Sequence, residues 1–141
     1  MEIGTYSIRK STRGNCDIID ITDEVNYLIN QNNFLKGNAL IFVGGSTAGI
    51  TTIEYEPGLR KDYPKFFDKI IPSNISYEHD NTWHDGNGHS HVRASIQGAS
   101  LTVPFAKGRL LLGTWQQIIL VDFDNRSRSR EITVQIIGNK K

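Results

Sequence analysis

The chain has 141 residues, 38% hydrophobic and 22% charged, with a formal net charge of +1, one cysteine and four histidines. That length suits one domain with its own core, and the balanced charge excludes an acidic disordered tail and speaks against nucleic acid as a partner. The lone Cys16 has no mate for an internal disulfide, no apolar run reaches membrane length, and Met1-Glu2-Ile3-Gly4 does not open a signal peptide, so a cytoplasmic protein without a membrane anchor is expected.

Thr5–Arg9 and Asn15–Ile21 are short β-favouring runs around Ser11-Thr12-Arg13-Gly14, and a hairpin is their simplest reading. Thr22 is expected to cap a first helix, with Asp23 and Glu24 against its positive end, Val25, Leu28 and Ile29 as a narrow apolar stripe, and Gly37 as its stop. Ala39–Val43 is brief and apolar on both faces, which suits a buried strand. It runs into Gly44-Gly45-Ser46-Thr47-Ala48-Gly49. Such a turn lets amides approach an anion, but it lacks the lysine of a phosphate loop and β-branched residues follow it. A tight strand-to-strand connection is therefore preferred to an anion cradle.

Pro57 fits the first turn of a second helix, in which Leu59, Tyr63, Phe66, Phe67 and Ile70 make a broad stripe for covering a sheet. Pro64 lies inside it and is expected to bend or break it.

Every histidine falls between His79 and His91, in a stretch that also holds Asp80, Trp83, Asp85, Gly86 and Gly88. Imidazole is the commonest metal-binding side chain. If the run from His91 is a strand, alternate residues share a face. His89, His91 and Arg93 then point together into a site, while Val92, Ala94 and Ile96 face a core. A solvated loop is the rival reading, since Gly86, Asn87 and Gly88 are ordinary turn residues. Clustering of the histidines favours metal binding or catalysis.

Beyond it the chain reads as strands: His91–Val103, Arg109–Leu112, Trp115–Phe123 and Arg130–Ile137, the last with Ile132, Val134 and Ile136 on one face. Short turns between them imply antiparallel pairing. Trp115–Val121 is apolar on both sides, so it should be covered twice, by the core and by a second sheet or a neighbouring subunit. Arg126, Arg128 and Arg130 crowd the last turn, where a solvated hairpin is preferred to a polyanion site.

Several of these stretches resemble, in order, the motifs of the YjbQ family: Ser46–Glu54, Tyr77-Glu78-His79, Gly86–His91, Gly108-Arg109-Leu110 and Gly113-Thr114-Trp115-Gln116. The resemblance covers nearly the whole chain. It implies an α+β fold, an antiparallel β-sandwich with two helices, association as a homotrimer, and a thiamin phosphate synthase activity described as weak or secondary. By the same resemblance His79 and His91 match recurrent histidines, Glu54 a recurrent acid, and Arg93 a position usually held by Lys or Arg. Many members carry a histidine where this chain has Gly45, so whatever that histidine does elsewhere is done without it here.

Thiamin phosphate synthesis joins a pyrimidine methyl pyrophosphate to a thiazole phosphate, and departure of pyrophosphate requires a cation and fixed donors at its oxygens. Glu54, His91 and Arg93 are the catalytic candidates, with Arg93 gripping a phosphate of the small substrate. His79, His89 and His91 would suit a catalytic zinc, whereas magnesium would draw on the oxygens of Glu54 and Asp85. Trp83 would stack on a substrate ring or serve as a lid or subunit contact. Two rivals use the same residues: a metal-dependent hydrolase with Glu54 as general base, and a non-catalytic trimeric module holding a metal or small anion at a subunit boundary.

Overall fold

The computed structural model describes residues 1–141. In chain order the elements are β1 (Glu2–Thr12), β2 (Asp17–Asp20), α1 (Thr22–Gln31), β3 (Phe34–Val43), β4 (Ala48–Ile53), α2 (Pro57–Ile70), α3 (Glu78–Trp83), α4 (Gly88–Gln97), β5 (Ser100–Ala106), β6 (Arg109–Leu110), β7 (Gln117–Asp122) and β8 (Arg128–Lys140). The protein is a mixed α+β fold with four helices, where two were expected. All strand pairs are antiparallel, in a five-stranded sheet ordered β1-β8-β3-β5-β6 and a three-stranded sheet ordered β2-β7-β4. No helix is long and apolar enough to cross a membrane.

Alternation on β8 works as read: Ile132, Val134 and Ile136 are fully buried. They share one core with Ala39, Ile41 and Val43 of β3, Val103 and Phe105 of β5, and Ile118 and Leu120 of β7. Helix α1 adds Val25 and Ile29 to that core. β3 is apolar on both faces but buried on one, since Leu40 and Phe42 remain 37% and 44% exposed.

The run Trp115–Val121, expected to be covered twice, is so only over Ile118–Val121 of β7, since Trp115 precedes the strand and is 71% exposed, and both covers come from its own chain. Ile118 and Leu120 enter the core between the sheets, while Ile119 and Val121 pack with Phe67 of α2, Ile71 and Ala94 of α4. Its double burial therefore calls for no neighbouring subunit. Cys16 packs in the same second cluster, where burial pushes its thiol up to about 12, in keeping with a packing role.

Several local expectations are corrected. β1 and β2 are not a hairpin, because β1 pairs with β8 in one sheet and β2 with β7 in the other. Thr22 does not cap α1. Its hydroxyl accepts from the Ile118 amide at 2.8 Å and donates to Asp20 at 2.7 Å, tying the helix start to β7. α1 ends at Gln31, with Asn33 in a left-handed conformation (φ 60°), and Gly37 lies inside β3. Pro64 does not interrupt α2, which Glu56 caps by accepting from the Gly58 and Leu59 amides, and the expected stripe is narrower because Phe66 and Ile70 are exposed.

The run His91–Val103, read as one strand, instead divides: its first part folds into α4 (Gly88–Gln97), and only from Ser100 does it form the strand β5. Ser90, Arg93, Ala94 and, in part, Gln97 face inward, which is the helical spacing, while the apolar Val92 and Ile96 stay exposed. Gly49 of β4 lets the helix approach: a Cβ there would lie 2.4 Å from Gln97 Cγ and 2.7 Å from the Gly98 carbonyl oxygen. Gly49→Ala is expected to lower stability by about 1–3 kcal/mol through this overpacking, read from urea denaturation. An unaltered midpoint would mean that α4 is not seated on β4 in this way.

Candidate functional site

Helix α3 carries His79 and Asp80 and ends at His84, whose left-handed backbone (φ 58°) turns the chain toward Asp85. Asn87 then occupies the cap position of α4, but its side chain donates to Asp124 at 3.2 Å instead of capping the helix. His91, on the first turns of α4, comes back against His79 with the ring centroids 4.2 Å apart. His79, Asp85 and His91 line a depression of about 390 Å³ together with Gly45, Ser46, Thr47, Asp124, Arg128 and Arg130. A groove of about 600 Å³ adjoins it, shares Gly45, Ser46 and His91, and is otherwise lined by residues such as Ala48, Val92 and Ala94. His91 therefore stands where a polar pocket meets a less polar groove. A further depression of about 570 Å³, bounded by Arg13–Ile18 and the start of α2, shares no lining residue with either.

The common face expected for His89, His91 and Arg93 does not form, because α4 is a helix and residues two apart are turned about 200° from each other. His89 and Arg93, four apart, face inward and are buried. The His89 ring lies 6.2 Å from that of Tyr77, and burial, then the charge of Arg93, lower its pKa. Arg93 donates to the Ile71 carbonyl from Nε (2.9 Å) and Nη2 (2.7 Å) and to Asp68 at 3.1 Å. It fastens α4 to the C-terminal end of α2, where a cation is favoured, and its guanidinium does not line the pocket. Glu54 follows β4 at the end away from Ala48, is exposed, and does not line it either.

His79, Asp80 and Asp85 are the residues here that could hold a metal, their ligand atoms all lying within 4.8 Å of one another. His79 Nδ1 is buried without a hydrogen-bond partner, 3.8 Å from Asp85 Oδ1 and 4.0 Å from Asp80 Oδ1. Those gaps are too long for hydrogen bonds and somewhat longer than the roughly 3.4 Å between ligand atoms on a tetrahedral ion with bonds of about 2.1 Å, so the side chains would draw in to hold one. The donor set fits a divalent ion such as zinc. Asp80 Oδ1 also accepts from the Gly88 amide, which orients it. For His91, burial and then the neighbouring His79 lower the pKa, leaving it neutral at neutral pH.

Arg128, Arg130 and Asp124 were not expected at a site. Arg130 is 7% exposed and lies against Asp122 through Nε (2.7 Å) and Nη2 (2.8 Å), while Nη2 also donates to Thr47 Oγ1 at 2.6 Å. Arg128 meets Asp124 at 2.8 Å. Of the three arginines read as a solvated hairpin, only Arg126 stays clear of the pocket as an exposed residue.

Across known proteins, the model for the family described as "UPF0047 protein YjbQ-like" matches residues 6–139. The chain belongs to the YjbQ family. It is 36% identical over 136 residues to a UPF0047 protein of Methanocaldococcus jannaschii, covering 96% of this chain and 94% of that one. To the UPF0047 protein YugU of Bacillus subtilis it is 38% identical over 136 residues, covering 95% and 98%. A crystal structure of a YbjQ-like protein of unknown function from Sulfolobus solfataricus superposes with a TM-score of 0.92 at 36% identity, covering 98% of this chain and 99% of that one. YjbQ membership thus rests on sequence and fold together.

In this YjbQ protein the pocket makes a measurable demand on pH. Burial would push the Asp124 carboxyl up, but hydrogen bonds from Asn87 and the Asn125 amide, then the hydrogen bond and charge of Arg128, outweigh it and hold it at about 2. A carboxyl held below its unfolded value of about 3.9 stabilises the fold fully above that pH. That contribution, about 2 kcal/mol, is lost as the pH falls from about 4 toward 2. Asp124→Asn should flatten the corresponding part of the acid limb in urea midpoints measured against pH. A limb of unchanged steepness would show that Asp124 is not held this way.

Proposed function

We propose that the protein is a metal-assisted enzyme acting on a small phosphorylated molecule, with His79, Asp80 and Asp85 as ligands of a divalent cation and His91 as the group that takes a proton or donates a hydrogen bond at the reacting bond. The observation that carries this reading is the buried, unpartnered His79 Nδ1 between two carboxylates, facing His91. A bound cation would supply positive charge to the oxygens of a leaving phosphate or pyrophosphate. Neutral His91, at the mouth between pocket and groove, is placed to take the proton of an attacking water in hydrolysis, and in transfer, where the attacking nitrogen carries no proton, to donate an N–H hydrogen bond to the leaving oxygen. The phosphate end of the substrate lies in the polar pocket and its organic part in the groove.

Transfer of the thiamin phosphate synthase kind fits this division. There the bond between the pyrimidine methylene carbon and the pyrophosphate oxygen breaks with its electron pair on pyrophosphate, and a thiazole nitrogen closes on the carbon. Hydrolysis with water as acceptor is the alternative. In either case the reading places the chemistry on His79, Asp80, Asp85 and His91, without roles at the reacting bond for Glu54, His89 or Arg93. Calorimetric titration with zinc should give one site per chain that His79→Ala weakens at least about tenfold, with parallel loss of pyrophosphate release from the paired thiamin precursors. Wild-type protein that takes up no divalent metal would sink this reading.

We also propose that the chain forms a homotrimer through the outer face of its five-stranded sheet. Across β1, β8, β3 and β5 this face presents rows with no charge, such as Ile3–Ile137–Asn38–Pro104 and Thr5–Gln135–Leu40–Thr102, followed by Ser7–Thr133–Phe42–Ser100. Ile3 is 67% exposed, and contiguous uncharged patches holding exposed apolar side chains mark contact surfaces. Phe42→Glu should convert the trimer to monomer in light scattering. A wild-type monomer at micromolar concentration would contradict the proposal.

A further inference from the structure

The pocket carries a second device, independent of the carboxylates around His79. Arg130 places Nε and Nη2 on the buried Asp122 and Thr47, and Arg128 places Nε and Nη2 on the buried Asp124. A guanidinium has five N–H donors in a rigid fork, so these contacts orient both groups while leaving each Nη1 without a protein acceptor. Nη1 of Arg130 faces Gly45: a Cβ built on that glycine would stand 2.8 Å from it. Gly45 has φ +104°, a conformation that favours glycine, and its missing side chain leaves the guanidinium edge open to the pocket. The amides of Gly45 and Ser46, on the same wall, donate to no protein group.

We propose that Arg128 and Arg130, with the Gly45–Thr47 turn, form a preorganised clamp for the phosphate or diphosphate group of the substrate. This rests on the phosphorylated substrate named above but not on the metal. The buried aspartates balance the arginine charges and hold them rigid, so an anion meets donors already in place. The role first assigned to Arg93, gripping phosphate, falls to two arginines of β8. In this chain the turn is both a strand-to-strand connection and one wall of the anion site.

The test is calorimetric titration of chelator-treated, metal-free protein with inorganic phosphate and with pyrophosphate. Wild type should bind, more tightly the probe that matches the natural group. Arg128→Gln and Arg130→Lys should each weaken binding about tenfold or more, as expected for a lost charge-assisted hydrogen bond; Arg130→Lys should also lower the melting temperature, because Arg130 pairs with the buried Asp122. Arg128 is partly exposed, so its variant decides the matter should Arg130→Lys fail to fold. Titration without metal separates the clamp from the metal reading. Absence of binding by wild type, unaltered affinity in Arg128→Gln, or binding that appears only with added zinc would each overturn the clamp.

Discussion

Two carboxylates at the end of β7 hold this molecule's sheets, its glycine-rich turn and its histidine helix in register. Burying an ion pair costs more in desolvation than attraction alone returns, unless the remaining lone pairs are satisfied. Here they are. Asp122 accepts from Arg130 and from Thr12 of β1 and the Asp124 amide, while Asp124 accepts from Arg128, Thr47, Asn87 and the Asn125 amide. Those partners come from β1 and β8 of the five-stranded sheet, from the turn before β4 and from the start of α4, while Asp122 itself ends β7 of the other sheet. The wall of the pocket is thus continuous with the polar interior of the fold.

This array was visible in the sequence, though easily missed. The alternation that identified Ile132, Val134 and Ile136 as the inward face of β8 puts Arg130 and Arg128 on the same parity, and Asp122 follows Ile118 and Leu120 on β7. Reading charge as a sign of exposure set the arginines aside as a solvated hairpin. The pattern of the strand is the better guide where it conflicts with composition, because a strand cannot turn one residue outward without turning its neighbours inward. The double apolar character of β7 was likewise legible, but not its cover: Phe67 and Ala94 come from helices distant in sequence.

What the sequence left hidden was mostly non-local. β1 and β8 pair from one end of the chain to the other, Glu2 opposite Gly138, and no local signal announces such a partner. The run Gly14-Asn15-Cys16, all left-handed, carries the chain from one sheet to the other where a hairpin was expected. At α4, Val92 and Ile96 are β-branched and mimic a strand, yet tertiary packing decides against that local preference.

That decision between strand and helix is also what distributes the chemistry. On a strand, His89, His91 and Arg93 would have formed one polar face and competed for one ligand. On the helix they divide. His89 and Arg93 turn toward the protein, where Arg93 holds the end of α2 and lowers the proton affinity of His89. His91 turns away from them to meet His79. The inward pair fixes the helix, and a fixed helix holds an imidazole against a second imidazole more firmly than a loop would. Gly49 sets how near that helix lies to β4, and Gly45 sets how much of Arg130 the pocket can see.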